Sequence, residues 1–395
     1  MVSSSYTNEV QSSEMNFEPH FLFNGYQEIF PLAKALHPET QYLKIKEIIN
    51  HGPNAKSFVL VPDTNKGTTK LAYFQAGQYI SLRLHINGSY VTRPYTIRST
   101  PVQALRGEYI VTMKLVPTGF VTPFIWKNWH VGTSVVASGP AGQLFYEPIR
   151  DKENIVALAG GSGITPFYSM AGAILDGTID ANLTILYGSR THDNILLGDE
   201  LQKIADQTSK VKLVNILSDE DVTGYEHGFI TKELIKKYAP AGNYSIFISG
   251  PSVMYQFAMK EVDQLHLAPG RVRHELNGNN ASPYDFADYP AAAKDKNFKL
   301  TVITRDQLTT IKAAANESLL VALERAGIVA PSMCRSGVCS ACRSRLVSGK
   351  AFIPAEFDHR RAADAEFGYL NTCVSYPISD LTLEVPVHDY ANQFG

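Results

Sequence analysis

The sequence predicts a chain of three domains: an antiparallel β-barrel, an α/β domain built on a parallel sheet, and a small mixed domain at the C-terminal end. Short apolar runs between residues 42 and 138 are separated by Gly, Pro and Asn, which is typical of antiparallel strands. From residue 153, fully apolar runs alternate with helical segments, as in a parallel sheet buried on both faces. All four cysteines lie beyond residue 333, where their spacing marks a separate unit. A length of 395 residues agrees with two to three domains of roughly 100–200 residues each.

Composition and charge argue against several classes of function. The formal net charge is −2, so no electrostatic attraction to nucleic acid is expected. No run approaches the roughly 18 apolar residues of a membrane span, and the residues after Met1 lack the layout of a signal peptide. We therefore expect a cytoplasmic protein. Residues 1–39 form an N-terminal extension that either packs on the first domain or serves as a docking arm, and no chemistry is assigned to it.

The predicted first domain, residues 40–150, carries two motifs suited to a flavin. In the first motif an Arg can neutralise a phosphate, a Tyr can lie against the ring or ribityl chain, and a Thr can hydrogen-bond the reactive edge of the isoalloxazine. In the second motif, backbone N–H groups at a predicted helix start can bind a second phosphate. Each motif alone is also compatible with a purely structural role. The motifs are Arg93-Pro94-Tyr95-Thr96 and Gly119-Phe120-Val121-Thr122.

The predicted second domain, residues 151–278, has features of a dinucleotide-binding fold. The apolar strand Ile155–Ala159 runs into a glycine-rich turn and then a helix, which brings backbone amides against a pyrophosphate. This turn matches neither G-x-G-x-x-G nor a P-loop, and a turn that only joins strand to helix is the alternative. The next strand ends at Ser189 and Arg190, and an Arg where a ribose is commonly held weakly favours NADPH over NADH. The turn comprises Gly160, Gly161, Ser162, Gly163, Ile164, Thr165 and Pro166, and a later strand–helix connection contains Gly250, Pro251 and Met254.

The cysteines of the third domain predict an iron–sulfur cluster. Residues 279–297 lack an apolar period and are predicted to be a linker to this domain, residues 298–395. Three cysteines with C-x4-C-x2-C spacing and one distant cysteine form the plant-type pattern for a [2Fe–2S] cluster. A four-thiolate zinc site and disulfides are the alternatives, but zinc sites usually use paired C-x2-C knuckles and disulfides are rare in the cytosol. The four predicted ligands are Cys334, Cys339, Cys342 and Cys373.

Together these motifs resemble the ferredoxin–NADP reductase superfamily with a plant-type ferredoxin fused at the C-terminus. This layout occurs in reductase components of oxygenases and in the NADH reductase of the hybrid-cluster protein. The resemblance covers the chain from about residue 40 to its end. It implies a β-barrel flavin domain, an α/β NAD(P) domain and a β-grasp ferredoxin domain. It also implies FAD rather than FMN, because Ser138–Leu144 looks more like the FAD-using members.

The resemblance also implies roles for individual residues. Thr96, Ser249 and Glu275 are implied in catalysis where flavin and nicotinamide meet. Three departures from the family pattern stand out: Ser249 replaces a cysteine, Leu276 follows Glu275 without the aromatic that often covers the flavin, and Thr96 replaces the commoner Ser. An aromatic of the linker is a candidate to cover the flavin instead. These linker aromatics are Tyr284, Phe286 and Tyr289, and the implied cofactor-binding residues are Arg93 to Thr96, Gly119 to Thr122, Gly160, Gly161, Gly163, Thr165, Pro166, Ser189, Arg190, Gly250, Pro251 and Met254.

The expected function follows from electron counting. NAD(P)H gives two electrons as a hydride and a [2Fe–2S] cluster takes one at a time, so a flavin must lie between them. We expect an NAD(P)H-dependent oxidoreductase that passes electrons to an external acceptor protein such as a monooxygenase or dioxygenase component. The alternatives are a stand-alone reductase of small acceptors or of the hybrid-cluster protein, and a non-catalytic electron-bridging subunit. Arg335, Ser336 and Ser340 are expected to be exposed and to contact the acceptor.

Overall fold

The computed structural model of the chain describes residues 32–33, 35–240, 242–276 and 282–387. Most of the predicted N-terminal extension, together with Asn277 and Gly278, lies outside these residues. Within them the chain forms three main sheets, one for each predicted domain. The multidomain fold class predicted from the sequence is therefore confirmed, because an antiparallel sheet is followed by a parallel sheet and then by a small mixed one.

The first sheet is antiparallel throughout, with strand order β4-β3-β6-β1-β2-β5. Ile97, just after β4, bridges to Val111 in β5, so the two edge strands approach each other and the sheet curls into a partly closed barrel. Alternate apolar side chains of the strands fill the inside of this barrel. The elements are β1 Gln41–Asn50, β2 Ala55–Pro62, β3 Tyr79–Ile86, β4 Ser89–Thr96, α1 Pro101–Leu105, β5 Tyr109–Lys114, α2 Val121–Asn128 and β6 Ser134–Ala137.

The second sheet is parallel, with strand order β10-β9-β8-β7-β11-β12. Its central strand β7 is buried from its second residue onward, which explains why the sequence there is uniformly apolar. Separate apolar clusters lie on the two faces of the sheet, each covered by helices. The elements are β7 Asn154–Gly160, α3 Thr165–Leu175, β8 Asn182–Ser189, α4 Gly198–Ala205, β9 Val211–Leu217, β10 Glu226–His227, α5 Lys232–Tyr238, β11 Tyr244–Gly250, α6 Ser252–Asp263 and β12 Val272–Leu276.

The third sheet has strand order β14-β13-β19-β15-β17, in which only the β13–β19 pair is parallel. Helix α7 packs its leucines against this sheet, and the cysteine loop follows the helix. The elements are β13 Asn297–Thr304, β14 Gln307–Ala314, α7 Leu319–Arg325, β15 Arg343–Ser348, β16 Ala351–Phe352, α8 Ala362–Glu366, β17 Tyr369–Asn371, β18 Tyr376–Pro377 and β19 Leu381–Glu384.

The segment predicted to be a linker is part of the packing of the third domain. The ring of Tyr289 lies edge-on to that of Phe352 at 5.1 Å, and the ring of Phe286 lies edge-on to that of Phe357 at 5.9 Å. Burying these aromatic rings stabilises the segment against the domain despite its lack of an apolar period. The linker aromatics that were candidates to cover a flavin, including Tyr284, therefore pack in this cluster instead.

The third domain contacts both of the others. Ser81 Oγ in β3 donates a hydrogen bond of 3.1 Å to the carbonyl of Met333, just before the first cysteine. On the other side, Gln256 Nε2 in α6 donates to Glu356 Oε1 at 3.0 Å. These contacts turn the cysteine loop toward the first two domains. Within the described residues, no helix combines the length and apolar character needed to cross a bilayer.

Candidate active site

A cavity of about 600 Å³ lies where the three domains meet. Thr96, at the end of β4, lines it beside Tyr79, its register partner at the start of β3. Glu275 near the end of β12 and the cysteines Cys334 and Cys339 line other walls. The cavity thus brings together two predicted residues from the barrel, Pro94 and Thr96, one from the parallel sheet and two cluster ligands from the cysteine loop.

Glu275 and Ser249 lie side by side on neighbouring parallel strands, where they are register partners. Among the described residues, neither Glu275 Oε2 nor Ser249 Oγ has a hydrogen-bond partner, although both atoms are buried. Burial, and then the nearby Cys334, raises the pKa of Glu275 to about 8, so its carboxyl is mostly neutral at pH 7. Buried polar atoms are normally hydrogen-bonded, and the polar edge of a flavin or nicotinamide in this cavity would give Glu275 a partner. Ser249 lines neither this cavity nor the second one, and its hydroxyl is buried on the strand beside Glu275.

The remaining residues of the two flavin motifs make local contacts. Arg93 Nη1 donates to the carbonyl of Thr92 at 2.8 Å and lies 3.6 Å from Glu324 Oε1 of the third domain. Thr122 Oγ1 accepts a hydrogen bond from the amide of Val116 at 2.9 Å, which closes the loop before α2. Pro94 lines the cavity, whereas the ring of Tyr95 packs against the barrel core. Gly119, Phe120 and Val121 form the turn into α2, at the helix start that was predicted.

A second cavity, of about 540 Å³, lies at the carboxyl ends of the parallel strands. Gly160 and Gly161 line it, and the glycine turn has no room for side chains on its inner side. A Cβ on Gly160 would lie 2.2 Å from Met254 Sδ, and one on Gly163 would lie 2.1 Å from the carbonyl oxygen of Ser249. A Cβ on Gly161 would meet no atom within 4 Å, so this backbone faces open space where a pyrophosphate can approach.

The other predicted dinucleotide residues divide into lining and supporting groups. Ser189, Arg190, Pro251 and Met254 line the second cavity. Gly163, Thr165, Pro166 and Gly250 lie behind the lining and hold the turn in place; Thr165 Oγ1, for example, donates to the carbonyl of Ser162 at 2.9 Å.

An acidic residue that sequence reasoning missed lies beside Arg190. Arg190 Nε donates to Asp219 Oδ2 at 2.8 Å, and both side chains are exposed. Asp219 also accepts a hydrogen bond from Ser218, a residue that lines the cavity. The Arg that favoured NADPH therefore already has a carboxylate partner at the edge of the second cavity.

The four cysteines lie in two pairs, Cys334 with Cys339 and Cys342 with Cys373, and the two thiols of each pair interact with each other. Two pairs suit a centre with two irons, each of which takes two thiolates.

Backbone N–H groups of the cysteine loop point at sulfur. The amides of Ser336 and Ala341 each lie 3.4 Å from the Sγ atom two residues earlier. Such donors stabilise the negative charge of a cluster. Arg335 and Ser340, directly after the first two cysteines, have the left-handed φ of 56° that aims these amides.

Cys373 lies on the 3-10 turn Thr372–Val374, directly after β17 ends at Asn371. The expectation that the loop residues are exposed is wrong for Arg335 and Ser336. Ser336 is buried and the side chain of Arg335 is only 11% exposed, since both face the barrel domain and not the solvent. An acceptor protein therefore cannot contact these two residues in this arrangement.

The sequence could have revealed one further residue of the site. Tyr79 follows Gly77, at which a Cβ would lie 2.0 Å from the carbonyl oxygen of Leu144. A Gly-x-Tyr at the start of an apolar strand therefore indicates that the backbone packs closely there and holds the tyrosine ring in a fixed position. No local sequence pattern predicts the contacts of Asp219 and Glu324 with their arginine partners.

Comparisons with known proteins agree with this geometry. Residues 42–146 match the family model for the oxidoreductase FAD-binding domain, and residues 157–260 match the oxidoreductase NAD-binding domain. Residues 303–377 match the 2Fe-2S iron-sulfur cluster binding domain.

Similar proteins match most of this chain or somewhat more than half of it. The glycine betaine monooxygenase reductase subunit of Chromohalobacter salexigens is 26% identical over 80% of this chain and 88% of its own length. NADH-cytochrome b5 reductase 1 of Dictyostelium discoideum is 31% identical over 56% of this chain and 77% of its own length. The structure of phthalate dioxygenase reductase has a TM-score of 0.64 and 23% identity, over 88% of this chain and 98% of that one.

The chain belongs to the ferredoxin–NADP reductase superfamily, with a plant-type [2Fe–2S] domain at its C-terminal end. It is an NAD(P)H-dependent electron-transfer oxidoreductase whose cofactors are FAD and a [2Fe–2S] cluster. FAD accepts a hydride and releases electrons singly, which links a two-electron donor to a one-electron centre.

Proposed function

We propose that the chain is the reductase component of an oxygenase and delivers single electrons from its cluster to a separate oxygenase protein. One structural observation carries the internal route: Thr96, Glu275 and two cluster cysteines line a single cavity. The external step is supported by relatives that match most of the chain and are named as reductase subunits of oxygenases. A cytoplasmic location fits this proposal, because a reducing compartment keeps the four cysteines out of disulfides and available to bind the cluster.

The site residues have distinct roles in this proposal. Thr96 donates a hydrogen bond to the reactive edge of the flavin, and Tyr79 supports the ring from the neighbouring strand. Glu275 orients the nicotinamide against the flavin and in its neutral form can donate a hydrogen bond, and Ser249 supports it from the neighbouring strand. The glycine turn at Gly161 holds the pyrophosphate of the dinucleotide on its backbone amides. The four cysteines hold the cluster.

The nucleotide preference depends on the pair formed by Arg190 and Asp219. A 2′-phosphate on the ribose would have to draw Arg190 away from Asp219 and then lie near that carboxylate. A free 2′-hydroxyl can instead donate to Asp219 while the pair persists. We therefore propose that the preference for NADPH expected from Arg190 alone is reduced or reversed in favour of NADH.

The proposed acceptor can be tested by trapping it. The tagged, cofactor-loaded protein is reduced anaerobically, used to capture partners from its source cells, and mixed with each purified partner while cluster reoxidation is followed. The proposal expects an oxygenase that reoxidises the cluster within seconds and forms its product only when this chain is present. Reoxidation only by a hybrid-cluster protein, or only by quinone or oxygen, would contradict the proposal.

A further inference from the structure

Glu324 connects three elements that belong to two domains. It lies on helix α7, is 4% exposed, and its Oε1 accepts a hydrogen bond of 2.5 Å from Arg335 Nη1 in the cysteine loop. The same oxygen lies 3.6 Å from Nη1 of Arg93, which belongs to strand β4 of the barrel domain. One buried carboxylate thus lies between a cation beside the first cluster ligand and a cation of the flavin motif.

The two arginines neutralise Glu324 largely out of contact with water. The side chains of Arg93 and Arg335 are only 25% and 11% exposed. Removing one partner from a buried ion pair leaves an uncompensated charge and is strongly destabilising, so these three groups favour staying together. Because Arg93 is in the first domain, keeping them together also keeps the domains together.

The backbone of the cysteine loop is linked to this contact. Arg335 has a φ of 56°, a left-handed conformation that non-glycine residues rarely adopt. With this φ the side chain reaches Glu324, while the next amide, that of Ser336, points at Cys334 Sγ. The bond to Glu324 therefore helps to hold the conformation in which the loop offers its N–H group to sulfur.

Neighbouring contacts show that the helix end and the barrel fit closely. A Cβ on Gly327, just beyond α7, would lie 3.0 Å from the carbonyl oxygen of Gly88 in the turn between β3 and β4. The hydrogen bond from Ser81 Oγ to the carbonyl of Met333 lies in the same interface. Glu324 thus supplies a charged group to a contact that also includes close backbone packing and a neutral hydrogen bond.

We propose that Glu324 is a positioning residue that clamps the cysteine loop against strand β4 and thereby sets the rate of electron transfer from the flavin to the cluster. With both cofactors bound, a hydride would bring two electrons and one proton to the flavin; the electrons would cross singly to the cluster and leave to the external acceptor, and the proton would return to solvent. Glu324 itself exchanges no proton and no electron. This inference depends on the internal route between the cofactors and is independent of which protein accepts the electrons.

The experiment compares Glu324→Gln with the natural protein, both loaded with FAD and the cluster. Anaerobic stopped-flow mixing with NADH follows flavin bleaching and cluster reduction as separate phases. The hydride step should stay within twofold, whereas cluster reduction should slow at least tenfold. Glu317→Gln is the matched control, because Glu317 pairs with Arg325 at 2.7 Å inside the third domain, and it should change neither phase.

Hydrogen–deuterium exchange supplies a readout that does not depend on activity. In Glu324→Gln the amides of Ser89–Thr96 and of the loop around Met333 should exchange faster, while those of β13 stay unchanged. If that variant fails to assemble a cluster, Glu324→Asp is used instead. It keeps the negative charge, but its side chain is too short to reach both arginines. It should slow cluster reduction at least threefold and show the same faster exchange.

An unchanged cluster-reduction rate or unchanged exchange in an assembled variant would overturn the proposal. Failure of the oxygenase proposal would look different: both internal phases would be intact, and only transfer from the cluster to the oxygenase would be missing.

Discussion

Replacing Asp219 by Asn should shift the nucleotide preference toward NADPH. In the natural protein Asp219 holds Arg190 through a 2.8 Å ion pair at the edge of the dinucleotide cavity. A 2′-phosphate must compete with this carboxylate for Arg190, whereas a 2′-hydroxyl need not. The amide of Asn is isosteric with the carboxylate and carries no charge, so the variant isolates the electrostatic part of the preference.

The size of the effect follows from the exposure of the pair. The two side chains are 80% and 39% exposed, so solvent screens the ion pair and its loss has a modest effect. A phosphate bound to Arg190 would also be repelled by the Asp219 carboxylate, although water weakens this repulsion. Both effects disfavour NADPH in the natural protein, so the ratio of kcat/KM for NADPH to that for NADH should rise by about 5- to 30-fold in the variant.

The assay is steady-state reduction of ferricyanide with each nucleotide at low and at moderate ionic strength. The shift should be smaller at the higher salt concentration, because the charges are exposed. Asp180→Asn is the control, since Asp180 pairs with Lys210 on the surface of the same domain and does not line the cavity. A ratio within twofold of the natural protein, or an equal shift in the control, would refute the assignment of Asp219.

Three further variants test other parts of the site. Arg190→Ala should raise the KM for NADPH far more than that for NADH. Equal effects on the two KM values in steady-state assays would contradict a role of Arg190 in binding the 2′-phosphate. Gly163→Ala places a Cβ 2.1 Å from the carbonyl oxygen of Ser249, so it should cost about 1–3 kcal/mol of unfolding free energy and raise the KM for both nucleotides. Thermal unfolding of Gly177→Ala is the control. A Cβ there meets no atom within 4 Å, but the φ of 76° disfavours a side chain, so this variant measures the cost of backbone conformation without a steric clash. In cofactor-free protein the pKa of Glu275 is about 8 when folded and near 4.5 when unfolded. Folding therefore opposes ionisation of this carboxyl, and the natural protein loses stability as the pH rises between these two values. Glu275→Gln should therefore gain in Tm over the natural protein from pH 5 to 8 and then level off, by an amount equivalent to at most about 5 kcal/mol; a difference independent of pH would contradict the environment described.

Local patterns predicted most of the fold and much of the candidate site. The apolar run at β7, followed by a glycine turn, could be read directly, because a strand buried on both faces admits no polar residue. The spacing of the cysteines identified all four thiols, since a loop of this length places three of them around one centre. The hydroxyl of Thr96 was found from a motif whose residues alternate along one strand.

What the sequence could not show depends on contacts between distant segments. Asp219 and Arg190 are brought together by neighbouring strand ends, and Glu324 and Arg93 by the docking of two domains. Ser336 and Arg335 looked like exposed loop residues because small and charged residues usually are, but the orientation of the third domain covers them. The linker rings pack on a two-stranded ribbon, β16 and β18, too short to be recognised in advance.

The most direct test of the electron route is anaerobic reduction of the natural protein and of Cys373→Ser by NADH, followed by optical and EPR spectroscopy. The natural protein should contain two irons, two labile sulfides and one FAD per chain, and NADH should bleach the flavin and then produce the EPR signal of a reduced [2Fe–2S] cluster. Cys373→Ser should still accept the hydride but lose or alter that signal. Zinc in place of iron, or a cluster that stays oxidised after the flavin is fully reduced, would contradict the account.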